Sequence, residues 1–189
     1  MKMSDRRVTE IRLSGSGGQG LVLAGIVLAN AAVYDRKRVT QTQSYGPESR
    51  GGASRADVIL SKDEIFFPEA TRFDILLALT QEACDKFLFD LKDDGFLIVD
   101  NSIVKNIALV SSTVYELPFT EIALKKLGSP LPTNILSLSF LIKISGIVSE
   151  SALKKAIEST VKKSFVDINL KAMKLGFDLA KKYKHHDRK

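Results

Sequence analysis

Leu13-Ser14-Gly15-Ser16-Gly17-Gly18-Gln19-Gly20-Leu21 is the stretch around which the chain is organised. Upstream, Val8, Ile11 and Leu13 supply a short apolar strand. Downstream, Gly20 to Tyr34 runs without proline through Leu21, Val22, Ile26, Val27, Leu28 and a cluster of alanines, which predicts a helix apolar on most faces and therefore buried. Glycines 15, 17 and 20 fit G-x-G-x-x-G between strand and helix. Such a turn brings backbone N–H groups close to a ligand, and the helix N-terminus adds partial positive charge, together a seat for phosphate. Tight strand-to-helix packing without a ligand also selects small residues, so the motif by itself leaves both readings open.

Lys37 to Gln43 reads as a second strand and completes a βαβ unit. A dinucleotide site of the Rossmann type wants an acid near the end of that strand to hold the ribose hydroxyls. Gln41, Gln43 and Ser44 stand there instead, and Asp35 falls before the strand as a solvated loop acid, which disfavours NAD. The next stretch, Ser44-Tyr45-Gly46-Pro47-Glu48-Ser49-Arg50-Gly51-Gly52, is a loop by its glycines and proline. Following a strand of an open α/β sheet, it should flank the first glycine turn. The competing reading is a surface loop in which Glu48 and Arg50 pair with each other.

Ala53–Ser61 reads as a strand, possible as an antiparallel member of a mixed sheet, with Val58 and Leu60 inward and Arg55 and Asp57 outward. Phe66, Phe67 and Pro68 form an apolar loop, explained equally by core packing or a subunit contact. Phe73–Leu79 is a strand covered on both faces, and Thr80 caps a helix from Gln81 to Leu91 that carries a buried, inert Cys84. Asp94-Gly95 turns the chain into the strand Phe96–Asp100, giving a second βαβ unit. A further strand is expected over Ile107–Leu117, then a helix from Pro118 stopped by Gly128. Beyond Pro130 and Pro132 the pattern is helical: Asn134–Ser145, Glu150–Val161 capped by Ser149, and Val166–Tyr183, followed by a polar tail in which His185 and His186 make no metal site.

Composition excludes several classes. At 189 residues, 44% hydrophobic and 26% charged, the chain has the make-up of a soluble globular protein with one sizeable core. The charged N-terminus and the absence of any apolar run of spanning length point to a cytoplasmic protein with no membrane partner. The net charge of +6 comes largely from lysines in the C-terminal third that are not interleaved with aromatics, so a solvated surface or an acidic protein partner is expected, and not nucleic acid. One cysteine cannot hold a Cys₄ iron–sulfur cluster, and no nucleophile–histidine set, acid–base pair or metal-ligand spacing is assembled upstream of the tail.

Read together, the turn Gly15–Gly20 with Leu23-Ala24-Gly25, the run Gln41-Thr-Gln-Ser-Tyr-Gly-Pro-Glu-Ser-Arg-Gly-Gly52, the segments Asp74–Leu79 and Gln81-Glu-Ala83, the strand ending at Asp100, Asn134 and Asn169–Gly176 resemble the gamma subunit of 2-oxoacid:ferredoxin oxidoreductases over nearly the whole chain. The run Gln41–Ser54 is most similar to the 2-oxoglutarate type; pyruvate and indolepyruvate enzymes are similar, with variations in this loop, and a branched-chain 2-oxoacid is a further substrate class. The resemblance implies a hetero-oligomer that decarboxylates a 2-oxoacid on thiamine diphosphate, transfers the acyl group to coenzyme A and passes electrons through iron–sulfur clusters to ferredoxin. It places thiamine diphosphate, magnesium and the clusters in thiamine-binding and ferredoxin-like partner subunits, with no catalytic or metal residue in this chain. A share in seating coenzyme A is implied for Gly15, Ser16, Gly17, Gly18, Gln19 and Gly20 and for Tyr45, Gly46, Glu48, Ser49, Arg50, Gly51 and Gly52, with Arg50 as the phosphate partner. The expected fold is α/β: one domain over 1–189, a three-layer, mostly parallel but mixed Rossmann-like sheet over about 8–128 and a helical C-terminal portion over about 133–184. Two other readings stay open, a free-standing nucleotide-dependent dehydrogenase and a purely structural subunit of the same complex.

Overall fold

The computed structural model describes residues 3–43 and 53–183. Six strands, β1 (Val8–Ser16), β2 (Arg38–Gln43), β3 (Ala53–Ser61), β4 (Phe73–Ala78), β5 (Leu91–Asp100) and β6 (Thr113–Leu117), form one sheet in the order β2-β3-β1-β4-β5-β6. The pairs β1–β4, β4–β5 and β5–β6 are parallel, while β3 is antiparallel to both β1 and β2. The helices are α1 (Leu21–Tyr34), α2 (Gln81–Phe87), α3 (Phe119–Leu127), α4 (Thr133–Ser145), α5 (Glu150–Thr160) and α6 (Lys163–Lys182).

The sheet is buried on both faces, as its near-continuous apolar strands require. Ile11, Leu13, Val58, Leu60, Ile75, Leu77 and Ile98 join one core with α1 and α3 through α6. Phe73, Leu76, Leu97 and Val99 join a second core with Ala83, Cys84 and Phe87 of α2. The expected three layers and mixed sheet are therefore present. Several local expectations also hold: Thr80 and Ser149 cap α2 and α5, Gly128 ends α3 in the left-handed conformation, and Cys84 is buried. Among the described residues no helix is long and apolar enough to cross a membrane.

Other expectations are corrected. β3 stands between β1 and β2, so the first βαβ unit is split and not a pair of neighbours. Asp57 does not face solvent: it is 5% exposed and lies directly opposite Arg12, whose guanidinium donates to both carboxylate oxygens at 2.7 Å. The same guanidinium stacks on Phe73 and Phe87, 3.9 and 4.5 Å from the ring centres. Period-2 reading assumed one wet face, and α2 covers that face. Helix α2 stops at Phe87, a 3₁₀ turn follows, and β5 starts at Leu91, so Asp94-Gly95 lies within a strand and not in a turn. Gly95 is pressed there against backbone, since a Cβ would stand 2.9 Å from the Asp74 carbonyl and 2.8 Å from that of Lys92. The strand expected over 107–117 is only Thr113–Leu117. Asp35 is not a solvated loop acid, because it accepts from Ser149 N and Oγ and ties the end of α1 to the start of α5. Phe66 and Phe67 are 89% and 66% exposed, which rules out core packing for them.

At the amino edge of the parallel strands, Arg6, Glu10, Asp74 and Lys92 form a charged cluster. Burial pushes the Glu10 carboxyl above its ordinary range, partly opposed by Lys92 and reinforced by Asp74. The folded chain thus holds that proton more tightly than the unfolded chain. This stabilising contribution is complete below the ordinary Glu pKa and is lost as pH rises through the raised, folded value. Glu10→Gln should escape that loss, so urea titrations from about pH 4 to about pH 7 should show the variant gaining on the parent as pH rises. A difference that stays constant with pH would contradict this.

Candidate functional site

Strand β1 continues through the glycine motif further than the spacing suggested. Gly15 and Ser16 are still paired, opposite Ser54 and Ala53, and the chain turns only over residues 17–19. Gly18 (φ 87°) and Gly20 (φ 72°) take left-handed conformations in which a side chain is strained. The three motif glycines therefore do different things. A Cβ on Gly15 would collide with the Gln19 side-chain carbonyl, and one on Gly20 would stand 2.5 Å from Asn134 Nδ2. Those two glycines make room for neighbouring amides. Gly17 and Gly18 form the exposed lip, with nothing within 4 Å of a Cβ placed on Gly18.

Hydrogen bonds hold this geometry. Ser16 N donates to Gln19 Oε1 at 2.8 Å, and Gln19 N donates to the Ser16 carbonyl at 3.4 Å. Asn134, the second residue of α4, donates from Nδ2 to the Gly20 carbonyl at 2.9 Å and so fixes the start of α1 from a position 114 residues away. The first intrahelical bond of α1 runs from Ala24 N to Gly20 O, and the Gly20 cap has no side chain. The N–H groups of Leu21, Val22 and Leu23 thus point ahead of the helix without an internal acceptor. The hydrogen bonds described here for residues 14–20 involve no charged side chain. The result is a neutral lip rich in donors, with the partial positive charge of a helix start beneath it.

The turn occupies the switch point of the sheet. β1 leads into α1 on one face and β4 leads into α2 on the other, and ligands of open α/β sheets sit outside the carboxyl ends where such connections diverge. Tyr45, Gly46, Glu48, Ser49, Arg50, Gly51 and Gly52 lie outside the described residues, as do His185 and His186. The residues bracketing the loop are placed: Gln43 pairs with Ala56, and Ala53 pairs with Ser16 at the turn itself. The end of β2 carries Gln43 and is two strand spacings, about 9–10 Å, from β1. A ribose-binding acid on β2 would be too far from the turn, which strengthens the case against NAD.

Asp100, buried at the end of β5, accepts from Ser102 N and Oγ and from Thr120 N and Oγ1 at 2.5–3.1 Å. Four donors fill its acceptor sites, so it fastens the start of α3 and is not poised as a base. Asn134 is the functional residue that the site assignment missed. Its signal was a carboxamide at the head of an otherwise apolar helix; nothing in the spacing linked it to Gly20. Among the described residues no group of three or more His, Cys, Asp or Glu is placed to hold a metal ion.

Residues 10–179 match the family model described as pyruvate ferredoxin/flavodoxin oxidoreductase. The 2-oxoglutarate synthase subunit KorC of Methanocaldococcus jannaschii is 44% identical over 185 residues, covering 95% of this chain and 99% of that protein. The gamma subunit of keto/oxoacid ferredoxin oxidoreductase from Geobacter sulfurreducens superposes with a TM-score of 0.84 at 43% identity, covering 93% of this chain and 99% of that one. The 2-oxoglutarate:ferredoxin oxidoreductase of Magnetococcus marinus, solved with 2-oxoglutarate, coenzyme A and succinyl-CoA bound, shares the fold at a TM-score of 0.84 and 22% identity; the match covers 97% of this chain and 32% of that one.

Proposed function

From the premise that this chain belongs to the pyruvate ferredoxin/flavodoxin oxidoreductase family, we propose that it is the gamma subunit of a 2-oxoglutarate:ferredoxin oxidoreductase and seats coenzyme A at its glycine turn. Identity of 44% running nearly end to end in both proteins carries the subunit and substrate assignment. In this reading thiamine diphosphate, magnesium and the clusters belong to partner subunits, where the oxoacid is decarboxylated and its electrons leave for ferredoxin. This chain contributes binding. Gly17, Gly18 and the start of α1 face the coenzyme A pyrophosphate with N–H donors, and Arg50 supplies the opposite charge.

Gly17 tests the reading, because it is exposed and is not one of the left-handed glycines, so a side chain there blocks approach to the lip without straining the backbone. In the assembled enzyme, Gly17→Val should raise KM for coenzyme A about tenfold, equivalent to about 1.4 kcal/mol, with a much smaller change for 2-oxoglutarate. Arg50→Ala should act in the same direction more mildly. Subunit stoichiometry is measured alongside.

The purely structural reading has one observation in its favour: Gly15 and Gly20 are filled from within by Gln19 and Asn134. It is adopted if both variants assemble and keep the parent KM for coenzyme A.

A further inference from the structure

We infer that Gln19 makes the glycine turn selective for an anion: its side-chain carbonyl stands where a phosphate oxygen would bind, and the ligand enters by displacing it. This rests on the seating of coenzyme A at the same turn. Gln19 Oε1 accepts the Ser16 N–H at 2.8 Å. The amide is folded over Gly15, in a space also bounded by Leu21 and Leu79, whose side chains would lie 3.2 and 3.3 Å from a Cβ there. Ser16 N–H is the last donor of β1 before the turn, and it is satisfied by the turn's own side chain and not by a distant part of the fold.

The exchange has a chemical direction. A neutral carboxamide oxygen holds an N–H less firmly than an ionised phosphate oxygen does. A pyrophosphate therefore gains by replacing Gln19, whereas water or an uncharged ligand offers an acceptor no better than the one already present. Room for the swap exists on the exposed side, where Gly17 and Gly18 leave the lip open and Gln19 is itself only half-buried. Gly15, Gly17 and Gln19 then form one device: Gly15 parks the amide, Gln19 covers the donor, and Gly17 admits the anion that uncovers it.

Steady-state kinetics of the assembled enzyme test this with Gln19→Ala, which removes the occupant, and Gln19→Glu, which holds Ser16 N–H with a fixed charge and repels pyrophosphate. KM for coenzyme A should fall about threefold in Gln19→Ala and rise at least about tenfold in Gln19→Glu, and inhibition by inorganic pyrophosphate should follow the same order. A raised KM in Gln19→Ala makes the amide a ligand contact and overturns the inference. Unchanged values in both, with Gly17→Val still impaired, overturn it while leaving the seating intact; no effect in any of the three removes the seating as well. A structure of the parent complex with coenzyme A decides independently of variant assembly. A phosphate oxygen on Ser16 N with Gln19 swung away supports the exchange, and Gln19 still on Ser16 in the loaded enzyme overturns it.

Discussion

Arg12→Ala should lower the unfolding free energy by about 3–5 kcal/mol, the range expected when one partner of a buried ion pair is removed. Arg12 is 3% and Asp57 5% exposed, and they face each other across β1 and β3 through two bonds of 2.7 Å. Removing the guanidinium strands a carboxylate under α2 and also deletes the stacking surface between Phe73 and Phe87. Arg55, the other cation near Asp57, is 3.9 Å away and 42% exposed, too distant and too wet to take over. Asp57→Ala should cost a similar amount by leaving the guanidinium unpaired. Replacing both by apolar residues, Arg12→Met with Asp57→Leu, should recover most of the loss, because desolvating two charges is itself expensive. Urea denaturation of the four proteins measures this, and single variants within about 1 kcal/mol of the parent would refute it.

Gly176→Val should be damaging for a different reason, lack of space. Gly176 faces α4 where α6 crosses it: a Cβ would collide with the Leu136 carbonyl and stand 2.8 Å from Ser139 Cβ and 3.0 Å from Phe140 N. Two of those three atoms are backbone, so no rotamer change relieves the contact and the helices must separate. Separation would loosen Ala172, Met173 and Phe177, all buried in the larger core. Overpacking typically costs about 1–3 kcal/mol, occasionally more, and a clash with backbone places this site at the upper end. Lys174→Val, on the exposed side of the same helix, controls for β-branching and should cost roughly 0.5 kcal/mol. Equal melting temperatures for the two variants would show that the crossing yields easily.

Those two sites differ in how visible they were. Asn169–Gly176 stood out as a landmark without a reason, and the reason is a helix crossing that only three-dimensional placement reveals. Arg12 and Asp57 sit in strands whose alternation placed Asp57 outward; the partner relationship exists only through the β1–β3 register. Contiguous signals were read correctly: the apolar run from Leu21, the doubly covered strand from Phe73, the Thr80 and Ser149 caps, and the stop at Gly128. Asp94-Gly95 failed because a turn signal was overruled by close backbone approach to Asp74. At the site, the glycine spacing located the turn and its place beside the strand ends. It did not reveal that Gly15 and Gly20 serve Gln19 and Asn134, because those are contacts of side chains that no local pattern encodes.

Strands β2 and β3 are consecutive in the chain and adjacent in the sheet, with Gln43 opposite Ala56, so residues 44–52 are the connection of a hairpin. Both of its ends are anchored by pairing that does not depend on the loop: β2 on β3, and Ala53 on Ser16 of β1. Lengthening such a connection costs little, about 0.6 kcal/mol for each doubling. The arrangement therefore separates inheritance of the scaffold from variation of the loop. Related subunits can exchange this segment as a cassette, retuning what meets the coenzyme while the frame that holds the glycine turn stays unaltered.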